Sequence, residues 1–172
     1  CMATVLQTSN FNGSNGPHFF IKLSYDLLKQ LPDTKQSVVR YYLNVGSYDM
    51  YSGSGSTSAG YINGIWVGQF TSIPAYSDTQ IGYLDVTYDH DSTGQCKANY
   101  SASVTTSWTG LGTSDMGGSF DLPIIREPIV INIKRSKGYF KNNSWKINKS
   151  YIKDNGVWKL SRPYYKKEGE WV

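Results

Sequence analysis

Apolar and polar residues alternate over long stretches of the first 125 residues of the chain. Between Cys96 and Trp108, the odd-numbered positions are all polar and the even-numbered positions are almost all apolar. A period of two is typical of a β-strand with one buried face. The apolar members of this stretch are Cys96, Ala98, Tyr100, Ala102, Val104 and Trp108. The pattern predicts a strand in which the Cys96 thiol acts as a small apolar group.

Three further stretches show the same period, at 19–26, 38–45 and 81–88. Each has one apolar face and one face that is mostly polar, as expected for strands that cover a common core. The alternation therefore predicts one core shared by all four strands. Its predicted members include Ile21, Leu43, Leu84, Val86, Tyr100 and Val104.

Turn-forming residues separate these strands. Asp89–Gly94 predicts a hairpin turn into the strand that starts at Gln95, and Leu31-Pro32-Asp33 predicts a turn that also stops a weak helical pattern at 27–31. Ser52–Ser56 predicts a flexible loop, followed by short strands around Tyr61-Ile62 and at 65–67. Seven or eight short strands of this kind predict an antiparallel β-sandwich, either immunoglobulin-like or jelly-roll-like.

Charge divides the chain into two parts. Residues 1–125 carry 5 Lys or Arg against 9 Asp, a net charge of −4, whereas residues 126–172 carry 12 Lys or Arg against 4 acidic residues, a net charge of +8. The change coincides with a Pro-flanked segment, Leu122–Pro128. We therefore expect a sandwich domain at 1–125, a linker at 126–138 and a separate basic tail at 139–172.

The tail contains an internal repeat. Trp145, Trp158 and Trp171 are spaced 13 residues apart, and a Tyr-aromatic or Tyr-Ile pair followed by Lys precedes each of them. Asn155-Gly156 lies between the two arms of the second copy and is a strong signal for a type I′ turn. The repeat predicts three short β-hairpins in tandem. Because a lone hairpin is marginally stable in water, they must pack on one another, on the sandwich or on neighbouring chains.

Candidate catalytic and metal-binding residues are sparse. The chain has two Cys and two His, and Cys1, Cys96, His18 and His90 lack the paired spacing of a zinc site. No phosphate-binding glycine loop, GxSxG or HExxH motif occurs. Asp89, Asp91 and the Gly94 backbone offer too few oxygens for Ca²⁺, so a metal-free turn is the favoured interpretation. We expect no cofactor, no metal and no enzymatic activity.

Membrane insertion is not expected either. No apolar run approaches the roughly 20 residues that a membrane-spanning helix needs. The opening sequence, CMATVLQTSN, lacks the basic start and apolar stretch of a signal peptide.

Two segments of the chain resemble a known family. Leu84–Gly94 with the alternating strand after it, and Gly118–Ile124, are similar to the end of a domain found in minor structural proteins of tailed bacteriophages with Gram-positive hosts. The Tyr-Ile-Lys-x-x-Gly-x-Trp-Lys copies resemble the short repeats that finish such tail proteins. Asp91 stands where the family usually has Asn, and Ile125-Arg126 where it has Pro-Arg. The resemblance implies a tail or fibre-type protein and no catalytic residues.

Three functions are compatible with these features. The first is a structural or adhesive virion component, made in the bacterial cytoplasm, that contacts other virion proteins or a bacterial cell-surface polymer. The second is a cell-wall carbohydrate-binding module, and the third, which is less favoured, is a nucleic-acid binder. A homo-oligomer is expected, with a trimer favoured by analogy with phage fibres.

The aromatic and basic residues of the tail are the candidates for partner binding. Their rings could stack on sugars or bases and their lysines could meet phosphates, or the rings could only fill the hairpin stack while the lysines point into water. The candidate residues are Tyr139, Lys141, Trp145, Tyr151, Lys153, Trp158, Tyr164, Lys166 and Trp171.

Overall fold

A computed structural model of the chain describes residues 3–126 throughout and, in the tail, only six strand segments. The strands of the first part are β1 (Thr4–Asn10), β2 (Phe19–Leu31), β3 (Gln36–Ser47), β4 (Gly53–Ile62), β5 (Ile65–Ile73), β6 (Asp78–Asp89), β7 (Lys97–Thr105) and β8 (Thr113–Asp121). The only helix within 3–126 is a single 3₁₀ turn, Gly16–His18. The described part of the chain is therefore all-β, as the alternation predicts.

These eight strands form two four-stranded sheets. The first has the strand order β1-β2-β3-β6 and the second has the order β5-β4-β7-β8. Every pairing in both sheets is antiparallel, with Phe19 opposite Ser47 in the first sheet and Thr105 opposite Thr113 in the second. The chain passes between the sheets after β3, β5 and β6, so neither sheet is built from one continuous run of strands.

One hydrophobic core draws side chains from both sheets. Ile21, Leu43 and Val104 are fully buried in it, while Leu84, Val86 and Tyr100 are partly buried and pack against it. The predicted shared core is therefore confirmed, and so is the alternation along β7, where exposed and less exposed positions follow one another. Cys96 also packs against this core, and burial raises the pKa of its thiol.

The predicted hairpin at 89–94 is wrong. The strand before it, β6, pairs with β3, whereas the strand after it, β7, pairs with β4 and β8 in the other sheet. Residues 90–96 thus carry the chain across from one sheet to the other. Strands that follow one another in sequence often pair with each other, but here β6 lies in the first sheet and β7 lies in the second, on the other side of the core.

The structure also differs from the sequence pattern at two places, the segments 52–56 and 27–31. The predicted loop Ser52–Ser56 belongs mostly to β4, which starts at Gly53, and the weak helical pattern at 27–31 is the extended end of β2. The turn between β4 and β5 is Asn63-Gly64, with φ of 49° and 76°. Positive φ at both central residues is the requirement of a type I′ turn, and Asn-Gly is its preferred sequence.

Strands of different sheets approach each other on both sides of the core. On one side β5 lies against β6, where a side chain on Gly68 would overlap the Ile81 carbonyl and one on Gly82 would overlap the Val67 carbonyl. On the other side the Asn12 amide donates to the Thr113 carbonyl at 2.8 Å, next to the contact of β1 with β8. Glycine is required on the first side because the two backbones come so close.

The tail strands form three separate two-stranded antiparallel sheets. They are β9 (Phe140–Lys141) with β10 (Ser144–Trp145), β11 (Ser150–Asp154) with β12 (Val157–Ser161), and β13 (Lys166–Lys167) with β14 (Glu170–Trp171). The chain divides into two compact units, Cys1–Glu127 and Pro128–Val172. Apart from Arg126, the predicted linker 126–138 lies outside the described residues, so its bounds stay a prediction.

Candidate binding surfaces

Seven of the nine predicted partner-binding residues lie on tail strands. Tyr139 and Tyr164 lie outside the described residues. The other seven are Lys141 on β9, Trp145 on β10, Tyr151 and Lys153 on β11, Trp158 on β12, Lys166 on β13 and Trp171 on β14.

The strand register gives two of the three strand pairs of the tail the same arrangement. Lys153 is paired with Trp158 between β11 and β12, and Lys166 is paired with Trp171 between β13 and β14. Between β9 and β10 Trp145 is paired with Phe140 instead, because the segment between its Lys and its Trp is one residue shorter. A Lys directly opposite a Trp is therefore the recurring feature of the last two strand pairs.

A second candidate surface lies where the loops of the first unit meet. Antiparallel pairing brings the residues before β2, after β3, before β6 and between β7 and β8 to the same end of the two sheets. Backbone hydrogen bonds join these loops, from Asn15 to Gly110, from Ser47 to Ser77 and from Tyr76 to Asp49. We call this end the loop-end surface and define it by His18, Tyr48, Asp49, Tyr51 and Tyr76 together with the groove beside them.

His18 and Asp49 form a hydrogen-bonded pair on this surface. His18 Nδ1 donates to Asp49 Oδ2 at 2.6 Å, and the Tyr51 amide donates to Oδ1 at 3.0 Å. The hydrogen bond from His18, followed by that from the Tyr51 amide, lowers the pKa of Asp49. The His18 ring is also stacked on the Tyr51 ring, with 3.9 Å between centroids. These contacts fix the orientation of the Tyr51 ring.

Three tyrosines of the loop-end surface are exposed. Tyr48 is 51% exposed, Tyr51 is 50% exposed and Tyr76 is 73% exposed. Tyr48 covers Phe20, with 4.5 Å between ring centroids, and its hydroxyl donates to Asn10 at 3.0 Å. The result is a set of aromatic rings that are anchored to the protein and still open to solvent.

Tyr76 has an unusual backbone conformation. Its φ is 49°, in the left-handed region, where a residue other than Gly or Asn costs of order 1–3 kcal/mol. Its amide donates to the Asp49 carbonyl at 2.8 Å, which ties this conformation to the neighbouring loop. Because the ring is largely exposed, burial of Tyr76 does not offset the strain.

A groove of about 300 Å³ continues this surface, starting at Ser52, next to Tyr51 in the chain. The indole of Trp108 lies in its wall, held by a hydrogen bond from Nε1 to the Ser56 carbonyl at 2.6 Å. The residues that line the groove are Asn15, Phe19, Ser52, Gly53, Ser54, Trp108, Thr109 and Leu111. Hydroxyl and amide side chains therefore lie beside aromatic ones.

The loops that form this surface carry almost no charge. None of the residues in 11–18, 47–52, 74–77 and 106–112 is Lys or Arg, and Asp49 is their single carboxylate. The loop-end surface thus differs from the tail, where Lys is repeated. Sequence reasoning missed this surface because its tyrosines belong to loops that lie far apart in the chain.

His90 and Asp91, two of the residues weighed above for metal binding, make hydrogen bonds that hold the crossing between the sheets. His90 contacts Ser37 Oγ through Nε2 at 2.7 Å and the Gly94 carbonyl through Nδ1 at 2.8 Å, which fixes the crossing between the sheets. Asp91 Oδ1 accepts hydrogen bonds from the Thr93 hydroxyl and from the amides of Thr93 and Gln95. These bonds, that from the Thr93 hydroxyl first, lower the pKa of Asp91. They hold the turn at 91–95.

Comparisons with known proteins give no match. No family model, no curated protein and no solved structure matches the chain. Among the described residues, no helix has the length and apolar character needed to cross a membrane.

Proposed function

We propose that the protein is a non-enzymatic structural or adhesive component of a phage virion, located at the tail, a fibre or the particle surface. The observation that carries the proposal is the Lys placed opposite Trp in two consecutive hairpins of a segment with a net charge of +8. Directly opposed positions lie on the same face of an antiparallel pair, so the Lys and the Trp share a face in each of these two pairs. The resemblance to phage structural proteins supports the same function.

In this proposal the two units have different roles. The two sheets of the first unit form a rigid β-sandwich, and the tail is a series of tandem hairpin repeats that contact neighbouring virion proteins or a bacterial cell-surface polymer. Repeated Lys gives the tail electrostatic attraction to polyanions such as teichoic acid, and Tyr and Trp are residues that anchor interfaces. Several weak contacts in one chain gain avidity together, and a homo-oligomer, with a trimer favoured, multiplies them further.

Charge reversal in the full chain tests the proposal. The double variant Lys153→Glu/Lys166→Glu should lower binding to Gram-positive host cells by about tenfold or more, since each cation near an anionic surface contributes roughly 1 kcal/mol. Lys29→Glu, an exposed position on β2, makes the same kind of charge change in the first unit and serves as the control. Equal binding by all three proteins would contradict a role for the tail lysines.

A cell-wall carbohydrate-binding module is the second candidate function. The exposed tyrosines of the loop-end surface, beside a groove lined with Ser, Thr and Asn, favour it. A glycan array separates the two functions, because a binding module recognises isolated glycans whereas an assembly protein recognises particles. Binding that falls steeply with salt and prefers DNA to other polyanions would instead point to nucleic acid.

A further inference from the structure

We propose that the loop-end surface is a binding site for a neutral saccharide. The inference deepens the second function above and holds equally if the protein is part of a virion. It rests on three features of the surface, namely its open aromatic rings, the absence of Lys and Arg from its loops and the strained conformation of Tyr76.

The chemistry of the surface matches that of a sugar ring. A pyranose has an apolar C–H face, which packs on an aromatic ring, and a rim of hydroxyls, which need donors and acceptors. Tyr51 and Tyr76 supply open rings, while Asn15, Ser54 and Thr109 supply polar groups in the adjoining groove. At about 300 Å³ the groove accommodates a small ligand or one residue of a longer chain.

The charge of the loops selects against anionic ligands. None of the four loops contains Lys or Arg, so a phosphate or carboxylate would meet no cationic side chain from them. The one carboxylate, Asp49, is engaged by His18 and by the Tyr51 amide. A ligand at this surface is therefore recognised through stacking and neutral hydrogen bonds.

The surface is also organised before any ligand binds. Hydrogen bonds between backbone groups join the loops around Asn15, Ser47 and Tyr76 to one another, which lowers the ordering cost of binding. Tyr76 stays in the left-handed region although the residue is 73% exposed. Strain that packing does not offset is concentrated at functional sites, and Tyr76 carries strain of this kind.

An array of neutral oligosaccharides, built from hexoses, deoxyhexoses and N-acetylhexosamines, tests the inference with the full chain. Polyribitol phosphate and heparin are the anionic probes on the same array. We expect at least one neutral glycan to bind, with little change between low and high salt. Failure of every neutral glycan to bind, or binding of the anionic probes alone, would overturn the inference.

Substitutions at Tyr76 separate binding from folding. Tyr76→Asn removes the ring but suits the left-handed conformation, so we expect a higher melting temperature and about tenfold weaker glycan binding. Tyr76→Phe should retain most of the binding. The matched control is Tyr83→Ala, which removes a tyrosine that is 54% exposed on β6.

The pattern across these variants decides between a glycan site and other uses of the surface. Glycan binding that is unchanged in Tyr76→Asn and in Tyr51→Ala would place the glycan elsewhere and overturn the inference. So would loop-end variants that bind glycans normally and lose only their incorporation into particles, since that result marks a protein interface. Loss of glycan binding in Lys153→Glu/Lys166→Glu with intact binding in the Tyr76 variants would assign it to the tail.

Discussion

The two units of the chain differ in how their strands are stabilised. The first unit gathers side chains from eight strands into one core and brings β5 against β6 and β1 against β8, so that its sheets meet on both sides. The second unit, as far as it is described, consists of three separate pairs of strands. Two-stranded pairs are marginal alone, so the tail depends on further contacts in a way that the first unit does not.

The units also differ in what they can recognise. The tail repeats Lys and Trp at paired positions within a segment of net charge +8, whereas the loop-end surface combines tyrosines with Ser, Thr and Asn. If the two proposals hold, binding at the tail should weaken as salt is added, and binding at the loop-end surface should change little with salt. A chain with both could contact two different partners at once.

The largest expected effect comes from a charge in the shared core. Val104→Asp places a carboxylate at a fully buried site, where an unpaired charge costs several kcal/mol against a total stability of about 5–15 kcal/mol. The first unit should lose its cooperative melting transition in circular dichroism. Thr105→Asp, at the adjacent exposed position, should melt like the wild type. A Val104→Asp protein that melts at the wild-type temperature would refute the shared core.

A smaller effect is expected where the sheets meet. Gly82→Val forces β6 away from the Val67 carbonyl, and such overpacking costs typically ~1–3 kcal/mol. The urea midpoint of the first unit should fall accordingly. Gln80→Val makes a β-branched side chain at an exposed position of the same strand and should change the midpoint little. Equal midpoints for the two variants would show that β5 and β6 do not lie in close contact.

The smallest expected effect concerns acid. Arg40 donates to Asp85 through Nε at 2.7 Å and Nη2 at 2.8 Å and lowers the pKa of that carboxyl, and the pKa values of Asp49 and Asp91 are lowered as well. Because the folded state holds these protons less tightly than the unfolded state, the stabilisation is complete above about pH 4 and is lost as the pH falls through the lowered values.

Urea midpoints measured between about pH 5 and pH 2 check this expectation. The midpoint of the wild type should fall as the solution is acidified, and Asp85→Asn should show a shallower fall. Identical slopes for the two proteins would mean that the Arg40 pair contributes nothing to the acid dependence of the first unit.

The sequence predicts the strands better than it predicts their pairing. Alternation identifies the buried face of β7 because apolar residues occupy its buried positions and polar residues its exposed positions. It does not show that β6 and β7 belong to different sheets, because strand pairing depends on how the apolar faces of all the strands pack together. Gly53–Ser56 look like a loop in sequence, yet these small residues lie in a strand against Trp108. By contrast, the residue types of Asn63-Gly64 are sufficient to predict the hairpin turn between β4 and β5.

The two candidate binding surfaces also differ in how far the sequence predicts them. The tail repeat is visible in the sequence because its residues recur at a fixed spacing, and backbone pairing adds that Lys153 lies opposite Trp158. Tyr51 and Tyr76 are 25 residues apart in the chain, and they belong to one surface because the loops after β3 and before β6 are joined by backbone hydrogen bonds. The strain at Tyr76 has no signal in the sequence at all.

The most direct test of this account compares the full chain with a chain that ends after Arg126. If the first unit carries the stability and the tail carries the partner contact, the shortened protein should keep nearly the same melting temperature and lose salt-sensitive binding to host cells. Its binding to neutral glycans should remain. A shortened protein that fails to fold would show that the tail is part of the core, and one that folds and still binds cells with the same salt dependence would contradict a tail-borne contact.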